Sequence, residues 1–388
     1  MSRVDVLIVG AGPSGSTAAT ALIDRGYTVA LIDKAVFPRH KTCASWINAL
    51  AFERFPYLMP EIANLVDCPF HGIRFYDQAI SNHGTYNERR PSGYLTLRSK
   101  FDQGLANVAV RRGAELHQSV RAIGFEQDKN GVKVDLADKQ TIHARFLLGA
   151  DGANSQVARW SGLRKSWRSD QYVLCANEDI PYPAAAIERL YGSRFPLFVS
   201  LRFGGLDGYG WVFPKREHIC VGIGGRVWPN ADIRQIMRNF VDRARQVKLI
   251  PSDLEISNPD YALDPAGAVH KMKSLTHERT ILIGDAAGFV SGSTGEGIYP
   301  GMVSGAVAAD VVHEALAKGS SDVSSFNDRW RAELGGYLRP LPGGEQKAST
   351  MSRIDLIFRS RLVSAIAGRI FLYGEPLSAK TFVKALTS

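Results

Sequence analysis

The chain has 388 residues, of which 45% are hydrophobic and 22% charged, and its formal net charge is +9. That length exceeds one ordinary core, so two domains are expected, and the composition excludes a disordered or fibrous chain. Lys and Arg are scattered rather than blocked, which argues against nucleic acid as a partner and for a basic surface that favours anionic cofactors. The four cysteines, at 43, 68, 175 and 220, form no CxxC pair, so neither a metal site nor a disulfide framework is indicated. No stretch reaches the ~20 apolar residues of a membrane span, and residues 6 to 9 are too short for a signal peptide. A cytoplasmic protein is expected.

The first element is a buried strand over residues 5–9. Gly10-Ala11-Gly12-Pro13-Ser14-Gly15 follows at once and opens a helix, and a second strand over 28–32 ends on Asp33. Gly10 permits the tight turn, Gly12 lets a pyrophosphate approach the backbone, and Gly15 lets the helix pack on the strand. The helix start offers N–H groups and a positive dipole end to phosphate. Asp33 stands where an acid accepts hydrogen bonds from an adenosine ribose. Strand, loop, helix, strand and acid in this order predict dinucleotide binding, with Pro13, Ser14 and Lys34 beside the cofactor.

The loop 36–45 lies at the carboxyl end of the second strand, where open α/β sheets bind ligands. Arg39 and Lys41 are expected to meet phosphate or ribose. Cys43 has two readings, a reactive thiol or a small buried hydrophobe. A helix is expected from Trp46, then short strands over 65–95, then a helix from Ser99 to Arg112 with Ser99 as N-cap. Residues 117–143 read as a meander turning at Asp128-Lys129-Asn130-Gly131. The chain then returns to the first sheet and reaches Gly149-Ala150-Asp151-Gly152.

Residues 165–265 are strand-rich. Tyr209, Trp211 and Phe213 precede a hairpin turn near 215–217, and their side chains line either a substrate cavity or the core. One helix is expected within 227–247. A buried strand over 280–283 then ends on Gly284-Asp285, and a helix begins near Gly295 and runs through small residues. Residues 320–388 read as mostly helical with a break at 340–344. The apolar run 365–373, interrupted by Arg369, reads as a packed helix, with peripheral membrane contact as its alternative.

Taken together these motifs resemble the FAD-dependent aromatic-hydroxylase superfamily, in particular its branch of geranylgeranyl reductases and flavin-dependent halogenases. Gly10, Gly12, Gly15 and Asp33 match its adenosine site. Arg98 with Phe101-Asp102 matches the segment whose arginine approaches the cofactor. Asp151-Gly152 matches the DG motif. Gly284-Asp285 matches the GD motif, whose aspartate contacts the ribityl chain. Gly295, Glu296, Gly297 and Ile298 lie where the family's helix meets the isoalloxazine ring. Tyr209-x-Trp211-x-Phe213-Pro214, with Val221-Gly222-x-Gly224, is similar to the reductase branch's cavity motif, as is Phe37-Pro38-Arg39-x-Lys41-x-Cys43. Where reductases continue the cysteine with Gly-Gly, this chain has Ala44-Ser45.

The resemblance implies an α/β fold. A Rossmann-like FAD-binding domain (1–75, 96–165 and 270–320) would interlock with a β-sheet-rich substrate domain (76–95 and 166–269), followed by C-terminal helices over 321–388. No second strand–GxGxxG–helix unit occurs, so electrons would come from transient NAD(P)H docking or a separate flavin reductase. The leading expectation is a monooxygenase acting on a small hydrophobic or aromatic substrate. The alternative is hydride reduction of carbon–carbon double bonds with Cys43 as a catalytic proton donor near the flavin. Halogenation, and a maturation factor that modifies a partner protein's side chain, are further alternatives.

Overall fold

A computed structural model describes residues 2–226, 231–339 and 355–387. The chain divides into two compact units. The first holds residues 2–40, 99–172 and 265–338. The second holds 41–98, 173–264 and the described residues from 339 onward.

The first unit is built on a sheet of order β17-β18-β11-β1-β2-β8. Its strands are β1 (Ser2–Val9), β2 (Val29–Ile32), β8 (Glu115–His117), β11 (Thr141–Gly149), β17 (Thr276–His277) and β18 (Thr280–Leu282). β1 runs parallel to both β2 and β11. Val6, Leu7 and Ile8 are fully buried, the continuous apolar pattern of a parallel strand covered on both faces. A hairpin of β9 (Ala122–Asp128) and β10 (Gly131–Leu136) joins through β11. Asp128 stabilises its turn by accepting the N–H groups of Asn130 and Gly131 at 2.7 and 3.1 Å.

Helix α1 (Pro13–Ile23) packs on α6 (Ile298–Ala317) through small residues. A Cβ on Gly305 would stand 2.3 Å from the Ser14 carbonyl oxygen, so the two helices meet backbone to backbone. α6 starts at Ile298 rather than near Gly295. Gly295 has φ +67° and Thr294 turns back to accept the Glu296 N–H at 3.2 Å, so residues 294–297 form a turn ahead of the helix.

The second unit is built on a sheet of order β16-β12-β15-β14-β13-β5-β6. These are β5 (Ile73–Tyr76), β6 (His83–Tyr86), β12 (Val173–Pro181), β13 (Leu197–Leu201), β14 (Asp207–Pro214), β15 (His218–Arg226) and β16 (Asp260–Asp264). All pairs are antiparallel except β13 with β5. A small sheet of β3 (Trp46–Asn48), β7 (Gly93–Leu95) and β4 (Cys68–Phe70) accompanies it. Helix α5 (Ile233–Gln246), capped by the Asp232 carboxylate on the Arg234 N–H at 2.9 Å, buries Met237, Phe240 and Val241. Helix α7 (Phe326–Leu334) belongs to the first unit, and α8 (Arg361–Tyr373) and α9 (Ala379–Thr387) end the described chain.

Several sequence expectations change. Trp46 opens a strand, not a helix: residues 46–48 pair with β7, and Asn48 then caps the short α2 (Ala49–Arg54) by accepting the Leu50 N–H at 3.0 Å. α3 (Arg98–Arg111) starts one residue before the expected cap Ser99. Residues 41–75 fall in the second unit because β5 pairs with β13 there. The C-terminal region is not a separate body: residues 321–338 join the first unit and the later ones the second. The expected break at 340–344 lies outside the described residues.

Candidate active site

The first unit's site begins at the β1–α1 turn. Gly10 has φ +107°, and a Cβ there would stand 2.2 Å from the Ala150 carbonyl oxygen. A Cβ on Gly15 would stand 1.9 Å from the Gly10 oxygen. These two glycines are required by the protein's own backbone. Gly12 differs: the nearest atom to its missing Cβ is the Arg39 guanidinium, at 3.4 Å. It forms the N-cap of α1 without any side-chain cap, so the helix start is left for another acceptor.

Asp33 follows β2 and is buried. Its carboxylate accepts the Ala11 N–H at 3.0 Å and the Ala35 N–H at 2.9 Å, which locks the acid against the glycine loop. Arg39 lies 3.6 Å from the Asp33 carboxylate and 3.0 Å from that of Asp102, which is fully buried in α3. Two acids therefore hold one guanidinium beside Gly12. This set fits a diphosphate-bridged dinucleotide: an uncapped helix start at Gly12, a cation next to it and an acid at the ribose position. Asp102 was not singled out as a cofactor residue from the sequence; its role is to aim Arg39. Lys34 is exposed, and Arg98 is buried at the start of α3.

Two expected cofactor residues have structural duties. The Asp151 carboxylate accepts the Ser155 hydroxyl and the N–H groups of Gln156, at 2.6 Å, and Val157, at 3.2 Å. It shapes the turn into α4 (Gln156–Trp160), and burial keeps its pKa above the ordinary carboxylate value. Ser14 fills the space left by Gly284 and Gly301, whose Cβ atoms would stand 2.2 and 2.7 Å from its hydroxyl.

Asp285, Glu296 and Gly297 come together. A Cβ on Gly297 would lie 3.5 Å from an Asp285 carboxylate oxygen. Glu296 is buried; it accepts the Tyr299 N–H and the Tyr337 hydroxyl, both at 2.8 Å. Burial pushes its pKa up to about 7, and the neighbouring Asp285 charge acts in the same direction. At neutral pH this acid holds a proton for part of the time. Tyr337 was missed because it lies forty-one residues away in sequence.

The second unit's site is the face of its sheet that carries Tyr209, Trp211 and Phe213. The period of two puts all three on one face, and the rings are in series: 5.7 Å between the centroids of Tyr209 and Trp211, 6.3 Å between those of Trp211 and Phe213. Trp211 pairs in register with Gly222. Side chains at Gly222 and Gly224 would stand 2.4 and 3.2 Å from the indole, so the glycines of β15 let it lie across the sheet. Cys175 and Asn177 of β12 border the same space. Phe371 of α8 packs on Tyr209 at 5.5 Å. Trp211 and Phe213 are both buried, so they serve the core as well as any cavity wall.

Lys215 continues the same alternation and is fully buried. It donates to the Asp179 carboxylate at 2.5 Å. Burial works against its charge, but Asp179 together with Cys220 and Cys43 outweighs that and leaves its pKa raised. Cys43 acts electrostatically on Lys215, Cys175 and Cys220, which places its thiol near this cluster. Burial pushes the Cys175 and Cys220 thiols well up, which keeps them neutral. Cys43 is only half-buried, and its sulfur accepts the Ser45 N–H at 3.3 Å. Ser45 has φ +59°, the left-handed region where a glycine would stand without strain. Lys41 is half-buried in the same loop.

A model of the FAD binding domain family matches residues 3–178. A digeranylgeranylglycerophospholipid reductase of Methanothrix thermoacetophila is 30% identical over 351 residues, which span 86% of this chain and 84% of the relative. The chain belongs to the digeranylgeranylglycerophospholipid reductase family. A second member of this family, from Methanosarcina acetivorans, is also 30% identical, over 85% of this chain and 81% of its own. The fold agrees. A geranylgeranyl bacteriochlorophyll reductase-like protein of Thermoplasma acidophilum superposes with TM-score 0.77 at 20% identity, covering 100% of this chain and 96% of its own. The flavin-dependent halogenase CmlS gives 0.73 at 18%, over 100% and 77%. As a member of this reductase family the protein is an FAD-dependent oxidoreductase, and Gly12, Asp33 and Arg39 are the residues that would hold FAD's diphosphate and adenosine ribose. Among the described residues, no helix is long and apolar enough to cross a membrane.

Proposed function

We propose that the protein reduces carbon–carbon double bonds in the isoprenoid chains of a polar lipid. The observation that carries this reading is the 30% identity, over more than four-fifths of both chains, to relatives named as reductases of digeranylgeranylglycerophospholipid. It favours hydride reduction over the hydroxylation expected from the sequence. Bound FAD, once reduced, supplies the hydride. The chain's own residues do the rest. Gly12, Asp33 and Arg39 hold the diphosphate and ribose. Tyr209, Trp211 and Phe213 give a largely apolar wall along which a prenyl chain lies. Cys43 supplies the proton for the second carbon, and the Ser45 N–H positions its sulfur. Electrons reach the flavin from NAD(P)H docked transiently or from a separate flavin reductase.

The test is anaerobic. Protein with chemically reduced FAD is mixed with an unsaturated geranylgeranyl glycerophospholipid, and the lipid is followed by mass spectrometry. Expected is a gain of one pair of hydrogens per double bond without oxygen. Product that forms only with oxygen, and carries an oxygen atom, overturns the reading in favour of a monooxygenase.

A further inference from the structure

Among the described residues, several large apolar side chains stay exposed singly, such as Val36, Met59, Val110 and Ile123. One stretch departs from this. Leu377 is 79% exposed, Phe382 45%, Val383 59% and Leu386 61%. The last three lie on α9. At helical spacing they occupy a single arc of about 100°. The buried Thr381 and Ala385 stand on one side of that arc, and Lys380 and Lys384 on the other. Residues 376–388 contain no acid.

The base under α9 is firmly tied. Arg369 of α8 pairs with both oxygens of Glu375, at 2.7 and 3.0 Å, and donates to the Tyr86 hydroxyl at 2.8 Å. Lys384 reaches Glu375 at 2.6 Å. The run 365–373, where the sequence allowed membrane contact, turns inward instead: Ala365, Phe371 and Leu372 are buried. The helix that presents apolar groups outward is the next one.

An apolar arc bordered by lysines and free of acids is the pattern of a helix lying in a lipid interface. Its apolar side chains enter the acyl boundary, and Lys380 reaches up to headgroup phosphates while Lys384 stays with Glu375. We infer that the outward arc of α9, together with Leu377, docks the protein on an anionic lipid bilayer. The inference does not depend on the reductase reading, because docking is read without turnover.

The experiment floats the full-length, FAD-loaded protein with vesicles of phosphatidylcholine, with and without phosphatidylglycerol. The protein is expected to float with the anionic vesicles and to be released as salt rises. Phe382→Glu with Leu386→Glu lowers the partition coefficient by roughly a hundredfold, and Lys380→Glu lowers it by about fivefold. FAD content reports that each variant folds, and Leu377→Ser gives a change in the same direction without altering α9. Wild-type protein that stays down with anionic vesicles overturns the inference, as does a double variant that floats like wild type. If nothing floats and the double variant converts a dimer to a monomer in light scattering, the arc joins two copies of this chain and the bilayer is excluded.

Discussion

The two units build their sites from opposite materials. In the first, backbone sets the frame: a turn that only glycines can make and an uncapped helix start, beside which two acids aim one arginine. In the second, side chains do it: three aromatic rings in series on one strand, given room by glycines on the next. A backbone site tolerates almost no change at its turn. A side-chain site can be altered without losing the sheet that carries it. The comparison therefore separates cofactor retention from substrate turnover, and the variants at Gly15, Gly222 and Cys43 test that separation.

The largest effect is expected at Gly15→Val. Its Cβ would stand 1.9 Å from the Gly10 oxygen, so the turn must open. Purified protein should lose bound FAD, read as the loss of flavin absorbance. Retained FAD would mean that the cradle lies elsewhere.

Next is Glu296. Its folded pKa of about 7 lies above the ordinary 4.5, so the folded state binds the extra proton. Stability is therefore highest below the unfolded value and falls as pH rises from about 4.5 to about 7, by on the order of 3 kcal/mol. Glu296→Gln removes that slope. Urea melts at about pH 5 and about pH 8 should differ more for wild type than for the variant; equal differences refute the buried acid.

Gly222→Ala tests the second site. Its Cβ would stand 2.4 Å from the Trp211 indole and should cost about 1–3 kcal/mol while FAD stays bound. Lost FAD would show that the two sites are not separable in this way. Cys43→Ala should leave both FAD content and stability near wild type, and slow lipid reduction by about a hundredfold. Unchanged turnover removes the proton role. The smallest effect is expected for Lys384→Met, about 0.5 kcal/mol in melting, because its partner Glu375 keeps Arg369.

Local pattern determined the backbone of the first unit's glycine turn almost completely. The strand, glycine loop, helix and Asp33 are contiguous, and each imposes its geometry on its neighbours, so Gly10, Gly15 and Asp33 stand where sequence reasoning puts them. The same reasoning placed the hairpin after Phe213 and the turn at Asp128. Long-range pairing decided the rest. Trp46 became a strand because β7 lies beside it, and residues 41–75 joined the second unit because β5 pairs with β13. Asp102, Asp179, Tyr337 and Phe371 reach their partners across dozens of residues, where no periodicity connects them. The motif marks Asp151, and only the folded chain shows its carboxylate accepting the N–H groups at the start of a helix. A sequence writes backbone geometry locally, in glycines and alternation. Which side chains meet depends on how the elements stack, and that is set by the tertiary fold.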